Sequence, residues 1–231
     1  LGATSGNVTA IVTADTAAAL NTALTNATTG TDALTLTIND TTLTSVSDLL
    51  ALDGKTNVAV NASSVNSISE TIANLNTAYN SAGISGLGNE NISITNTGTI
   101  NATQVNDLLG ETSGTITFVG SGNLAITMTS GETLNLSGIT NSLSGTLSIT
   151  DSTGNETIIG TSANDTLTLS SGNDTVNLGD GSDVINTTIA NLNTADNISD
   201  TGTTGTDTLN ITNSGTIDSA NLIDVSGIET L

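Results

Sequence analysis

Apolar and polar positions alternate through much of this chain, with Ile, Leu and Val recurring on a two-residue period. Leu34, Leu36 and Ile38 are separated by single Thr residues, and the pairs Ile92/Ile94 and Leu209/Ile211 each enclose one polar residue. That period puts alternate side chains on opposite faces, so these stretches predict half-buried strands. Helical spacing is confined to short patches. Residues 15–26 carry Ala18, Leu20 and Leu24, and residues 70–82 carry Ile72, Leu75, Ala78 and Tyr79; 47–52, 102–109 and 219–224 are shorter. From about residue 118 to 186 the pattern predicts only short strands and Gly-centred turns.

The chain repeats itself. Residues 71–100 align without gaps on residues 188–217, with about half the positions identical. Residues 1–9 (LGATSGNVT) match 109–117 (LGETSGTIT), and the inner copy follows a helical stretch. The expectation is a portion, or a processed unit, of a longer tandem array, in which neighbouring repeats stabilise one another.

A tighter repeat starts at Ser152 and reads STGNETIIG, TSANDTLTL, SSGNDTVNL, GDGSDVINT. Glu156, Asp165, Asp174 and Asp183 recur every nine residues; Gly154, Ala163, Gly172 and Gly181 precede them by two, and Ile158, Leu167, Val176 and Ile185 follow by two. Each nonapeptide reads as a tight turn and a short strand, so two make one coil, with the apolar residue inward and stacked on its equivalent in the next coil. Asp165 and Asp183 then share one edge, and Glu156 and Asp174 the other. Carboxylates so placed repel unless a cation sits between them, and calcium accepts six to eight oxygens, turn carbonyls included.

Composition narrows the chemistry. The chain has no Cys, His, Pro or Trp and one Lys or Arg, Lys55, against 22 acids, for a net charge of −21. Cys- and His-based catalysis, zinc sites and disulfides are excluded, and nothing can neutralise a nucleic-acid backbone. The charge asks for disorder or for a cation, and 35% apolar residues in strand-like order favour the cation. No nucleophile–base pair exists. Carboxylate pairs of a glycosidase kind lack the usual sugar-stacking aromatics, because Tyr79 and Phe118 are the only ones present, and both read as core. No apolar run is long enough to cross a bilayer.

The nonapeptides resemble the RTX (repeats-in-toxin, haemolysin-type) calcium-binding repeats, and the Thr-rich remainder is similar to parts of large bacterial S-layer and cell-surface proteins. The resemblance implies calcium (Ca2+)-dependent folding outside the cell after type I secretion, with Asp165, Asp183, Asp174 and Glu156 as metal ligands. Thr153, Ser162, Ser171 and Asp180 replace the first Gly of the pattern, Ala163 replaces a turn Gly, and Glu156 is longer than the usual Asp. These departures make Asp165/Asp183 the stronger expected site. Single Gly-x-acid turns at Gly30-Thr-Asp32, Gly88-Asn-Glu90 and Gly205-Thr-Asp207 lack an 18-residue partner and read as exposed turn acids, with calcium binding through other loops as the alternative.

The expected fold is mainly all-β: a parallel β-solenoid or β-roll, with short helices inserted between Thr-rich strand repeats. Residues 1–117 form a strand/short-helix repeat region; residues 118–231 hold the β-roll, with nonapeptides in 152–187, then a second copy of that repeat. The expected function is structural and non-enzymatic, a secreted, calcium-stabilised unit that self-assembles into an extracellular layer or filament at the bacterial cell surface. The alternative is a spacer or binding module of a giant adhesin. A third reading, calcium-dependent ice binding, rests on a rank of Thr157, Thr166 and Thr175 beside Asn155, Asn164 and Asn173. The expected partners are further copies of the chain, in a homo-oligomer or polymer, and cell-surface polysaccharide, without nucleic acid or membrane insertion.

Overall fold

The structure, a computed structural model, describes residues 6–27 and 32–231. The chain divides into two compact units, Leu1–Ile94 with Leu108–Thr115, and Thr95–Asp107 with Ile116–Leu231.

In the first unit every strand pair is parallel. Strand β1 (Thr9–Ile11) pairs with β2 (Ala33–Thr35); β3 (Thr42–Leu43) pairs with β5 (Ser67–Glu70), and β5 with β7 (Asn91–Ile94); β4 (Val60–Asn61) pairs with β6 (Ile84–Ser85). Parallel neighbours need a crossover, and short helices supply part of it. They are α1 (Ala17–Ala23), α2 (Ser47–Asp53) and α3 (Ile72–Tyr79), each within a predicted helical patch or one residue beyond it. The Thr16 hydroxyl caps α1 by accepting from the Ala19 amide. Leu20, Leu49, Leu52, Ile72 and Leu75 of the helices and Leu34, Ile68 and Ile92 of the strands are all buried. Each such burial stabilises by roughly 1.5–3 kcal/mol. Lys55 donates to the Leu24 carbonyl at 3.1 Å.

The second unit contains β8 (Gly98–Asn101), the first six residues of α4 (Ala102–Leu109), β9 (Ile116–Gly120), β10 (Leu124–Thr127), β11 (Thr133–Asn135), β12 (Ile139–Leu143) and β13 (Leu147–Thr150). There follow β14 (Thr157–Ile159), β15 (Asp165–Thr168), β16 (Thr175–Asn177), β17 (Val184–Thr187), β18 (Asn197–Ser199), β19 (Thr208–Ile211) and β20 (Val225–Ser226). One parallel ladder runs β8-β10-β13-β15-β17-β19, a second runs β11-β14-β16-β18-β20, and β9 pairs with β12. The chain thus alternates between two sheets, and through the nonapeptides a full coil takes 18 residues, as Thr157 opposite Thr175 and Thr166 opposite Val184 show. This is the parallel β-roll expected from the nonapeptide spacing.

The apolar position of each nonapeptide stacks as expected. Ile100, Ile126, Ile149, Leu167, Ile185 and Leu209 form one buried column, and Leu134, Ile158, Val176 and Ile198 the other. The turns stack equally closely: a Cβ on Gly172 would run into the Gly154 carbonyl, so glycine is required there.

Three expectations are corrected. Thr157 and Thr175 lie in one sheet and Thr166 in the other, because successive nine-residue units fall on opposite sheets; the in-line Thr rank behind the ice-binding reading does not form. The patch at 219–224 is a single 3-10 turn, Ser219–Leu222. Asp32, Glu90 and Asp207 are buried, not exposed turn acids. Gly30, the turn residue before Asp32, lies outside the described residues, as do residues 1–5 of the terminal repeat match. Glu90 is fully satisfied: it accepts the Tyr79 hydroxyl at 2.8 Å and the amides of Gly88 and Asn89. Burial and the Glu90 carboxylate together push the Tyr79 hydroxyl pKa upward.

The duplicated segment takes two forms. TIANLNTA is identical at 71–78 and 188–195, yet the first copy carries α3 and the second only turns. The next residue differs: Tyr79 in the first copy, Asp196 in the second. Asp196 accepts the Asp174 amide at 3.0 Å and the Asn193 amide at 2.8 Å. Those bonds hold the segment in a turn, and helix propensity gives way to tertiary context.

Candidate metal centre

Each nonapeptide acid sits where a turn enters a strand, and the carboxylates of Glu156, Asp174 and Asp183 reach back to the preceding coil. The Glu156 amide donates to Asp174 Oδ1 at 2.9 Å, and the Asp174 amide to Asp196 Oδ1. On the other sheet the Asp165 amide donates to Asp183 Oδ1 at 2.7 Å, the Asp183 amide to Asp207 Oδ1 at 2.8 Å, and the Asp207 amide to Glu229 Oε2. The result is two columns of carboxylates, each oxygen-to-amide bond joining one coil to the next. Glu156, Asp165, Asp174 and Asp183 are all at most 1% exposed.

The columns continue past the nonapeptides because the step is not fixed at 18 residues. Asp174 to Asp196 and Asp207 to Glu229 are 22 residues apart, and Asp183 to Asp207 is 24. A search at 18-residue spacing therefore misses Asp196, Asp207 and Glu229. Following the acid through coils of unequal length would have found them.

The four predicted ligands are not equivalent. Glu156 and Asp174 come together with Asp151, a residue the sequence reading passed over; one oxygen from each lies within 4.8 Å of the others. Asp151 takes the Ser152 and Ser170 amides, and Glu156 takes the Gly131 amide at 2.7 Å and the Ser152 hydroxyl. Asp174 Oδ2 is buried without a hydrogen-bond partner. Asp165 is instead turned onto Thr161, accepting its amide at 2.7 Å and its hydroxyl. Asp165 and Asp183 thus share an amide–carboxylate bond but no common carboxylate group. The Oδ2 of Asp183, like that of Asp174, is buried and unpartnered.

Buried carboxylates without a basic partner resist ionisation. Burial pushes Asp151 up to about 7, an effect to which the Asp174 charge and the Glu156 carboxyl add. Burial likewise raises Asp174 to about 6, with the Asp196 and Glu156 charges adding, and Asp165 to about 6. Asp183 rises to about 7 through burial and the charges of Asp165, Asp207 and Asp200. Oxygen-only donors, clustered negative charge and unpartnered buried oxygens fit a hard divalent cation, which prefers carboxylate and carbonyl ligands.

A pH dependence follows, with its sign fixed by these shifts. Folded-state values above the unfolded one mean that the metal-free fold binds extra protons, so stability falls as pH rises from about 4 to about 7. In chelator, lowering the pH from 7.5 to 5 should raise the melting temperature by roughly 5–10 °C, the equivalent of a few kcal/mol. Saturating calcium should remove or reverse the trend, because protons then compete with the ion. Thermal melts across pH with and without calcium check this. A metal-free melting temperature that falls on acidification would contradict it.

A family model described as the RTX calcium-binding nonapeptide repeat matches residues 150–185 in four copies. No curated protein and no solved structure matches the chain. Residues 150–185 are an RTX repeat region, and repeats of this kind bind Ca2+. Such repeats occur in secreted bacterial proteins, typically as structural, non-catalytic modules. Among the described residues, no helix is long and apolar enough to cross a membrane.

Proposed function

We propose that this chain is a calcium-stiffened structural unit of an extracellular bacterial protein that self-assembles into a surface layer or filament. The observation that carries the reading is the pair of carboxylate columns, buried, lacking a basic partner and joined coil to coil. Asp151, Glu156 and Asp174 would hold one calcium ion, and Asp183 would offer its unpartnered oxygen to another. The ion supplies positive charge where the fold brings carboxylates together. The chain's own residues do the rest: backbone amides orient each carboxylate, stacked glycines let turns approach, and the apolar columns keep water out. Folding is thereby coupled to the calcium-rich exterior.

Assembly has a physical route. Thr230 bridges Thr208 of β19, whereas β20 ends its ladder, and an open parallel edge pairs with a further strand unless something covers it. Ile223, 74% exposed, lies just before β20. Light scattering during calcium titration of chelator-treated protein tests the proposal. Particle mass should rise together with strand signal. Folding while the protein stays monomeric would overturn the assembly reading and favour an adhesin spacer.

A further inference from the structure

We infer that Asp183, Asp200 and Asp207 form a divalent-cation site beyond the nonapeptide run, in which Asp200, carried by a lengthened coil, is the added ligand. One carboxylate oxygen from each of the three lies within 4.8 Å of the others. Only Asp183 falls within residues 150–185; Asp200 follows β18, and Asp207 precedes β19. The inference rests on the reading of the chain as calcium-stabilised and extends it to residues that the nonapeptide pattern does not contain.

The cluster is built, with its oxygens divided between structural and free roles. Asp183 Oδ1 takes the Asp165 amide and Asp207 Oδ1 takes the Asp183 amide. Asp200 Oδ1 accepts two amides, Gly179 of the preceding coil and Gly202 of its own turn, each at 3.1 Å. That leaves Asp183 Oδ2 and Asp200 Oδ2, both buried and without any hydrogen-bond partner. Asp183 is 1% exposed, so this oxygen is closed to bulk solvent. One oxygen each of Asp183, Asp200 and Asp207 thus gathers in a small space with no basic group to offset the charge, an arrangement that a divalent cation reconciles.

The geometry explains the longer coil. An 18-residue step would put only an Asp207 equivalent opposite Asp183, whereas the 24-residue step brings in Asp200 as a third carboxylate. Gly202 and Gly205 make the approach possible: a Cβ on either would collide with the carbonyls of Gly179 and Gly181. The extra residues thus keep the turns in register while adding a ligand.

The test is calcium-chloride titration calorimetry on the whole chain, comparing wild type with Asp200→Asn and Asp151→Asn. Asparagine keeps an oxygen for the Gly179 and Gly202 amides, so Asp200→Asn removes charge with little change of shape. We expect Asp200→Asn to lose one ion, or to bind it at least tenfold more weakly, while keeping the ion lost in Asp151→Asn. A wild-type chain that binds calcium, with Asp200→Asn unchanged in number and affinity, would overturn this inference alone. A wild-type chain that binds no calcium would overturn the calcium reading as well. If Asp200→Asn does not fold, anomalous diffraction from wild-type crystals grown in calcium decides: a peak among Asp183, Asp200 and Asp207 is expected, and peaks confined to the nonapeptides would refute the site.

Discussion

Chelating calcium lowers the melting temperature of the unit that holds the β-roll by roughly 10–20 °C. The magnitude follows from linkage. An ion present at about 100-fold above its dissociation constant stabilises the fold by about 2.7 kcal/mol, and two sites double that. For a domain of this size each kcal/mol moves the midpoint by roughly 2–4 °C. The physical source is the set of buried acids, Asp151, Glu156, Asp174 and Asp183, which carry no basic partner. Without an ion their charges repel one another, and Asp151, Asp174 and Asp183 resist ionisation. Calorimetric scans in chelator and in millimolar calcium check the prediction. A midpoint unmoved by calcium would show that these are ordinary buried acids that hold no ion.

Leu167→Ala is expected to destabilise the same unit by about 2–5 kcal/mol, in chelator and in calcium alike. Leu167 is 0% exposed, stacked between Ile149 and Ile185 in the inner column. Truncation leaves a void that neighbouring coils cannot fill, because their backbones are tied by ladder hydrogen bonds on both sides. Equal losses in the two conditions separate the apolar column from the ion. Asp174→Asn should behave oppositely, costing stability in calcium and little or nothing in chelator, where removing a repelling charge helps. Denaturant titration of both variants in both conditions measures this. A Leu167→Ala loss confined to calcium would contradict the independence of column and ion.

The regular parts of the fold were legible because their signals are local. Ile158, Leu167, Val176 and Ile185 keep one period through four copies, and the structure stacks each on its equivalent two nonapeptides away. The Ala- and Leu-bearing patches in residues 15–82 became α1, α2 and α3 for the same reason. What escaped depends on coil length. Asp196 and Glu229 join the acid columns, and Asp200 reaches Gly179, across steps longer than 18 residues that no fixed spacing reveals. For the same reason Asp207, singled out in its Gly-x-acid turn, showed no column partner. Asp151 escaped because it belongs to no nonapeptide position and reaches Glu156 and Asp174 only after the coils stack. The identical TIANLNTA segments show the limit most sharply: α3 forms beside Tyr79, and turns form where Asp196 is drawn into a carboxylate column.

The most direct test of the central claim, that folding of the β-roll is coupled to calcium through its stacked acids, is hydrogen exchange resolved to short peptides. The amides of Glu156, Asp165, Asp174 and Asp183 each donate to a carboxylate of a neighbouring coil. In calcium, peptides spanning residues 150–211 should be strongly protected, and chelation should release them together. Protection of that span that is equal with and without calcium would contradict the account.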